Sequence, residues 1–472
     1  MMRRAWQIGF GFCLCAVVAL PGVAAAQGAA DSKSEKQVKP QIVQNPIIPG
    51  QVDPEPPFTT AKQDAVLNRR RPEYEPIGML AGGILRDVKY LGRGQILESF
   101  LLFPSIETEV AFDSNIFAED DNKTADFIGT VRPELELHSD WDNHEFFVRG
   151  FGEFARYASN SRESFARYGA ELGTRLDVTE FLFLKFGAGW QRKTAARSDI
   201  ETDTGGDEPT VFYESFGSAQ ARYKRDKFLV DANTSITARD FRDNTAAGVT
   251  VDNDQNDNWI WENSLRLGWE EWRGTTIFLE PFFNLARNFR KFDNVGLERG
   301  FYSTGVNAGF TYDASAVTFL EGALGIGYGI PHDRNADSFP FLSGKLDLVW
   351  NPHDSWTFTA GWNRRLAQTN AFSVINNVNV PDVATLTDTL SLGAQLEVTY
   401  EILASAGIDL ALADTLENGT SDTGLDTELA LLWLMNEYMR MRGFWNFSLL
   451  SSNDANREFS KHVVGVTLTM HY

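Results

Sequence analysis

At 472 residues the chain is long enough for several domains or for one large barrel. Lys and Arg number 43 against 64 Asp and Glu, a formal net charge of −21, which argues against a nucleic-acid partner. The 2 cysteines, Cys13 and Cys15, both lie in the first apolar stretch, so the rest of the chain offers no disulfide, no thiolate nucleophile and no thiolate metal site.

The chain opens like a secretory leader. Arg3 and Arg4 precede an apolar core from Ile8 to Leu20, and Ala24-Ala25-Ala26 offers a small-residue cleavage site before Gln27. Residues 1–26 are therefore expected to be removed. Beyond them no run approaches 18 apolar residues, so no membrane helix is expected. Residues 27–98 form a second region. Pro40, Pro46, Pro49, Pro54, Pro56, Pro57, Pro72 and Pro76 mark an extended periplasmic segment, too short for the plug of a gated siderophore transporter. Ile77 to Glu98 is Gly-rich and either belongs to that segment or packs at a barrel mouth.

Residues 99–472 read as all-β. In the first run Leu102, Pro104, Ile106, Val110 and Phe112 share one parity, against Glu107, Glu109 and Asp113 on the other. After a polar loop, Phe127, Val131, Leu135 and Leu137 alternate with Arg132, Glu134 and Glu136. A period of two over a dozen residues is a β signal, and about ten tilted residues cross a bilayer as a barrel strand. The same pattern recurs at 144–157, 165–178, 181–193, 211–224, 228–240, 258–272, 275–289, 301–313, 316–330, 340–350, 356–369, 386–400, 402–413, 425–435, 438–450 and 459–472. These spans predict a single-chain antiparallel transmembrane barrel of about 18 strands, with short periplasmic turns and longer external loops. Leu429 to Arg440 is rich in helix formers, and a helix there would leave 16 strands.

Two sets of residues follow from the parity. Arg132, Arg149, Glu153, Arg167, Glu171, Arg175, Arg222, Asp231, Arg266, Lys345 and Arg365 are the candidates for a lumen of mixed charge. Trp141, Phe146, Tyr223, Trp269, Tyr312, Trp350, Trp356, Tyr400 and Tyr472 gather on the apolar parity at the ends with tight turns, as an interfacial girdle would. The alternative for the lumen is that salt bridges cross and fill it.

Recognisable motifs stand just before the first strand and in the first hairpins. These are Arg70-Arg71-Pro72-Glu73-Tyr74-Glu75-Pro76-Ile77-Gly78, Phe103-Pro104-Ser105-Ile106-Glu107, Phe112-Asp113-Ser114-Asn115-Ile116-Phe117-Ala118, Arg132-Pro133 and Ser139-Asp140-Trp141-Asp142-Asn143-His144. In them the chain resembles the putative beta-barrel porin type 2 family of Gram-negative outer membranes. The resemblance implies an outer-membrane barrel. It also implies, from related proteins, an association with exopolysaccharide production and export. It assigns no substrate and no site.

The loops are acidic, as in Asp252-Asn253-Asp254-Gln255-Asn256-Asp257, but Asp257 stands where an EF-hand requires Gly. Solvated loop surface is the expected reading, with no metal and no cofactor. His332-Asp333 is an isolated dipeptide, and no catalytic residue or enzyme activity is expected. The leading functional reading is a passive channel for hydrophilic solutes. The rivals are an accessory of exopolysaccharide export and a closed structural or adhesive barrel. The expected partners are outer-membrane lipids and lipopolysaccharide, the barrel assembly machinery during biogenesis and, in the export reading, polysaccharide export components.

Overall fold

The alternation of apolar and polar side chains continues into eighteen long strands, each paired antiparallel with its chain neighbours. A computed structural model describes residues 95–97 and 99–472, apart from 142, 199–205, 294–295, 316–317, 335, 354, 369–371, 376–377, 382–383, 417–420 and 454–457. Residues 1–94, which hold the expected leader and most of the expected periplasmic segment, lie outside the described residues. After a short β1 (Gln95–Leu97), the wall opens with β2 (Phe100–Asp113), β3 (Asp126–Ser139), β4 (Glu145–Tyr157), β5 (Phe165–Asp177), β6 (Leu182–Thr194), β7 (Val211–Arg225) and β8 (Phe228–Phe241). A loop hairpin, β9 (Asn244–Ala246) and β10 (Val249–Val251), comes next. The wall resumes with β11 (Asn258–Trp272), β12 (Thr275–Asn288), β13 (Gly300–Ser315), β14 (Thr318–Pro331), β15 (Phe339–His353) and β16 (Trp356–Gln368). A second loop hairpin, β17 (Phe372–Ile375) and β18 (Val378–Pro381), precedes β19 (Ala384–Glu397), β20 (Ile402–Thr415), β21 (Ser421–Asn436), β22 (Met439–Ser452) and β23 (Phe459–His471).

Closure comes from the first and last wall strands. Ser105 of β2 stands opposite His471, and Asp113 opposite Val463. With an even strand number, β2 starts and β23 ends at the same rim. The seam is pinned at both ends. At the tight-turn rim Tyr472 N–H donates to the Pro104 carbonyl at 3.3 Å. At the loop rim the Asp113-Ser114-Asn115 motif does this work. Ser114 N–H donates to the His462 carbonyl at 3.0 Å, and His462 N–H returns to Ser114 Oγ at 2.8 Å. Buried Asn115 donates to the carbonyls of Glu119, at 2.7 Å, and Ser460, at 3.1 Å.

Tertiary pairing overrides helix propensity where the two compete. Leu429–Asn436 is extended within β21, Glu437-Tyr438 make the turn, and the count is eighteen rather than 16. That strand begins at Ser421, four residues before the expected start, because Ser421-Asp422-Thr423-Gly424 carry no large apolar side chain to mark a parity. Both loop hairpins escape the sequence pattern because each is too short for a period.

The turns have local causes. Arg225 pairs with Phe228 across Asp226, whose φ is 52°, and Trp272 pairs with Thr275 across Gly274, whose φ is 76°. Left-handed residues suit two-residue hairpins because they match the strand twist. Two other turns share one sequence, Val-Thr-x-x. Thr179 Oγ1 accepts Leu182 N–H at 3.0 Å, and Thr399 Oγ1 accepts Ile402 N–H at 3.1 Å. All the longer connections lie at the opposite rim.

The two faces differ as a membrane barrel requires. Val110, Leu135, Leu172, Ile277, Leu324 and Leu392 are exposed on the outer face. Charged and small residues alternate with them on the inner face.

Candidate functional site

The inner wall is the candidate site, and its charges are organised along the wall. Arg132 of β3 reaches Glu107 and Glu109 of β2, both at 2.9 Å, and Glu153 of β4 at 3.1 Å. Arg167 of β5 shares Glu153 at 3.1 Å. Arg149 holds Glu134 at 2.7 Å and Glu171 at 3.2 Å. The network crosses the seam, since Thr467 Oγ1 donates to Glu109 at 3.2 Å and Thr469 Oγ1 to Glu107 at 3.1 Å. Arg175 pairs with Asp177 at 3.2 Å and lies 4.4 Å from the Phe183 ring centroid.

Further round the wall the same arrangement repeats. Arg222 of β7 pairs with Asp231 of β8 at 3.0 Å. Arg266 of β11 holds Glu280 at 2.7 Å and Glu321 at 3.0 Å, and Lys345 of β15 reaches Glu321 at 3.3 Å. Arg365 stands opposite Thr387 and is exposed. The register thus brings nine of the eleven sequence candidates into ion pairs between nearby strands, while Arg175 pairs within its own strand. The described pairs do not span the barrel axis. Glu107, Glu109, Glu134, Glu280 and Glu321 complete the networks as the register partners of the arginines or their neighbours, and Thr467 and Thr469 join them through the pairing of β23 with β2.

A second feature of the wall escaped the sequence reading. Eight inward phenylalanines each stand directly opposite a glycine. The pairs are Phe147 with Gly173, Phe151 with Gly169, Phe216 with Gly189, Phe278 with Gly309, Phe282 with Gly305, Phe341 with Gly327, Phe339 with Gly329 and Phe444 with Gly465. Each ring lies over the space a side chain would fill. A Cβ on Gly189 would stand 2.3 Å from Phe216 Cζ, and one on Gly173 2.2 Å from Phe147 Cε1. Large apolar side chains therefore lie against the wall, and arginines stack on them, with Arg266 3.9 Å from the Phe278 centroid. Replacing Gly189 by Val is expected to push Phe216 off the wall, lower stability by about 1–3 kcal/mol and reduce single-channel conductance. Phe216→Ala in the same chain should restore the conductance. An unchanged conductance in Gly189→Val would show that Phe216 does not border the pathway.

At the loop rim, buried Ala286, Phe301 and Ala384 pack with Ile260 and Phe339 and with Ala336 and Leu416 of two loops. The dipeptide His332-Asp333 lies here. Asp333 accepts Glu298 N–H at 3.1 Å, while the His332 ring lies 6.1 Å from Tyr302. Burial, with Arg287 nearby, holds His332 below its ordinary value, so it is neutral at pH 7.

Asp243, Asp252 and Asp254 converge in the loop after β8. Arg290 answers two of them, reaching Asp252 at 2.9 Å and Asp254 at 2.5 Å. Neighbouring Asp257 accepts Phe241 N–H at 2.7 Å. Burial, reinforced by Asp240 and Asp254, pushes its carboxyl up to about 7, although Arg290 and the Phe241 N–H act in the other direction. An unfolded Asp257 would titrate in the ordinary carboxylate range. Between the two values the folded loop keeps a proton that the unfolded loop has lost, so loop stability falls as pH rises through about 7. Asp257→Asn should flatten that decline, read as hydrogen-exchange protection of residues 242–257 between about pH 5 and pH 8. A slope that survives the substitution would place its origin in another group.

No curated protein matches the chain. Among solved structures it is similar to the FrpB iron transporter from Neisseria meningitidis, at 9% identity and a TM-score of 0.46, covering 80% of this chain and 82% of that one. It is also similar to OccAB2 of Acinetobacter baumannii, at 10% identity and a TM-score of 0.43, covering 80% of this chain and 99% of that one. The copper transporter OprC gives 10% identity and a TM-score of 0.44 over 80% of this chain and 82% of that one. The family described as Putative beta-barrel porin 2 matches residues 90–472, a span that holds the whole of the closed wall, and the chain belongs to that family.

Proposed function

We propose that the barrel is a passive outer-membrane channel for hydrophilic solutes. The observation that carries this reading is the lie of the inner side chains. Charges pair with nearby strands and phenylalanines rest over glycines, so bulk is kept along the wall, and barrels of 16–18 strands leave room for an aqueous channel. The outward aromatics Trp141, Phe146, Tyr223, Trp269, Tyr312, Trp350, Trp356, Tyr400 and Tyr472 would seat the tight-turn rim in the inner headgroup zone, with the loops outside. Stepwise, ohmic conductance of the purified protein in a planar bilayer is the expected result. A protein that inserts but never conducts would overturn it.

A second reading, passage of polysaccharide, is favoured by one observation. Phe282, Phe341 and Phe339 form a continuous aromatic surface on the inner wall, with centroids 6.3 Å and 6.4 Å apart, beside Asn307 and Ser343. Sugar rings stack on such faces and hydrogen-bond to such neighbours. Gene deletion separates the two readings. Loss of solute uptake supports the channel, and loss of surface polysaccharide supports export.

A further inference from the structure

On the outer face near the loop rim three rings run in a row across neighbouring strands. Trp190 of β6 lies 6.0 Å from Tyr168 of β5 and 5.5 Å from Tyr213 of β7, stacked on the latter at 16°. A guanidinium caps each end. Arg192 lies 6.0 Å from the Tyr168 centroid and Arg242 lies 4.7 Å from the Tyr213 centroid. Arg192 is steadied by donating to the Ala166 carbonyl. Arg156 of β4 has the same outward parity and is exposed.

The charge balance of this patch is unlike the rest of the outer face at this rim. Elsewhere Arg364 has Asp388 at 3.6 Å, and Arg287 has Glu298 at 3.5 Å. Here the described contacts give three arginines one carboxylate, Asp240, 3.5 Å from Arg242. An arginine on a lipid-facing surface is costly in hydrocarbon and cheap at the interface, where a headgroup phosphate can accept a bidentate pair of hydrogen bonds. The aromatic row fixes the depth, because Trp and Tyr settle in the headgroup zone. Cation–π contacts then aim both guanidiniums along the rim.

We propose that Arg192 and Arg242, on the Tyr168–Trp190–Tyr213 platform, bind the phosphate groups of an outer-leaflet lipid. The site rests on the reading that the loop rim faces outward. The binding test below is independent of that orientation and of conductance. The detergent-solubilised barrel is titrated with diphosphorylated lipid A and, separately, with the same lipid stripped of phosphate, and bound lipid is read by native mass spectrometry. Wild-type protein should bind the phosphorylated lipid at least tenfold more tightly than the stripped one. Arg192→Gln with Arg242→Gln should erase that difference, while Arg364→Gln should preserve it. Heat-modifiable electrophoretic mobility confirms that each variant is folded, and the single Arg242→Gln variant serves if the double variant fails to fold. Equal binding of the two lipids, or an equal loss in Arg364→Gln, would overturn the proposal. So would displacement of the lipid by inorganic phosphate at the lipid's own concentration, since the site would then hold a free anion.

Discussion

Removal of Thr467 to Tyr472 is expected to abolish barrel insertion outright. The deletion strips β2 of its partners from Ser105, opposite His471, to Glu109, opposite Thr467. Each unpaired backbone amide or carbonyl left in hydrocarbon costs several kcal/mol, so five consecutive open positions exceed the stability of a typical domain. The same cut removes both threonine donors that tie the Arg132 network across the seam. Tyr472→Phe should be tolerated. Its ring stacks on Tyr438 at 5.9 Å and its backbone N–H makes the bond to Pro104, and neither contact uses the hydroxyl. Heat-modifiable mobility after refolding into lipid vesicles reads both outcomes. A folded, inserted truncation would show that β2 and β23 need not pair.

The second large effect is a contrast between neighbours on β19. Leu392→Arg should destabilise the barrel by about 2–4 kcal/mol, the cost of a cation facing mid-bilayer lipid. Ser391→Arg should cost little, because Ser391 points inward and stands opposite Asp409. It should shift ion selectivity instead. Equilibrium unfolding in urea with vesicles present would measure the first, and reversal potentials across a planar bilayer the second. Equal destabilisation at both positions would mean that β19 does not separate lipid from lumen on this parity.

The wall was legible in the sequence because membrane strands are long and obey a strict period of two. The same rule that exposes Val464 and Val466 turns Val463 and Thr467 inward, and turn residues mark where each run stops. Parity alone also selected the inward charges. Which of those charges meet was not legible. Glu109 and Thr467 are 358 positions apart in the chain and meet only through closure. The Phe–Gly pairs were hidden for the same reason, since a glycine in one strand acquires its meaning from the residue opposite. Short hairpins such as β9–β10 and β17–β18 carry no period at all, and the seam role of Asn115 needs Ser460 in place before it can be seen.

The glycines opposite the rings have a further consequence for how wide the barrel is. A strand that slips by one residue turns its apolar side chains inward and is rejected at once. A slip of two preserves the alternation, and hydrophobicity alone cannot detect it. The rings can. Shifted by two, Phe282 would meet Ser303 or Asn307 in place of Gly305, and Phe147 would meet Glu171 or Arg175 in place of Gly173. Side chains there leave a ring no flat seat. Stagger between successive strands accumulates around a closed sheet into its shear, and shear and strand number together set the diameter. The paired rings and glycines thus act as a gauge for the bore, written into the wall one phenylalanine and one glycine at a time.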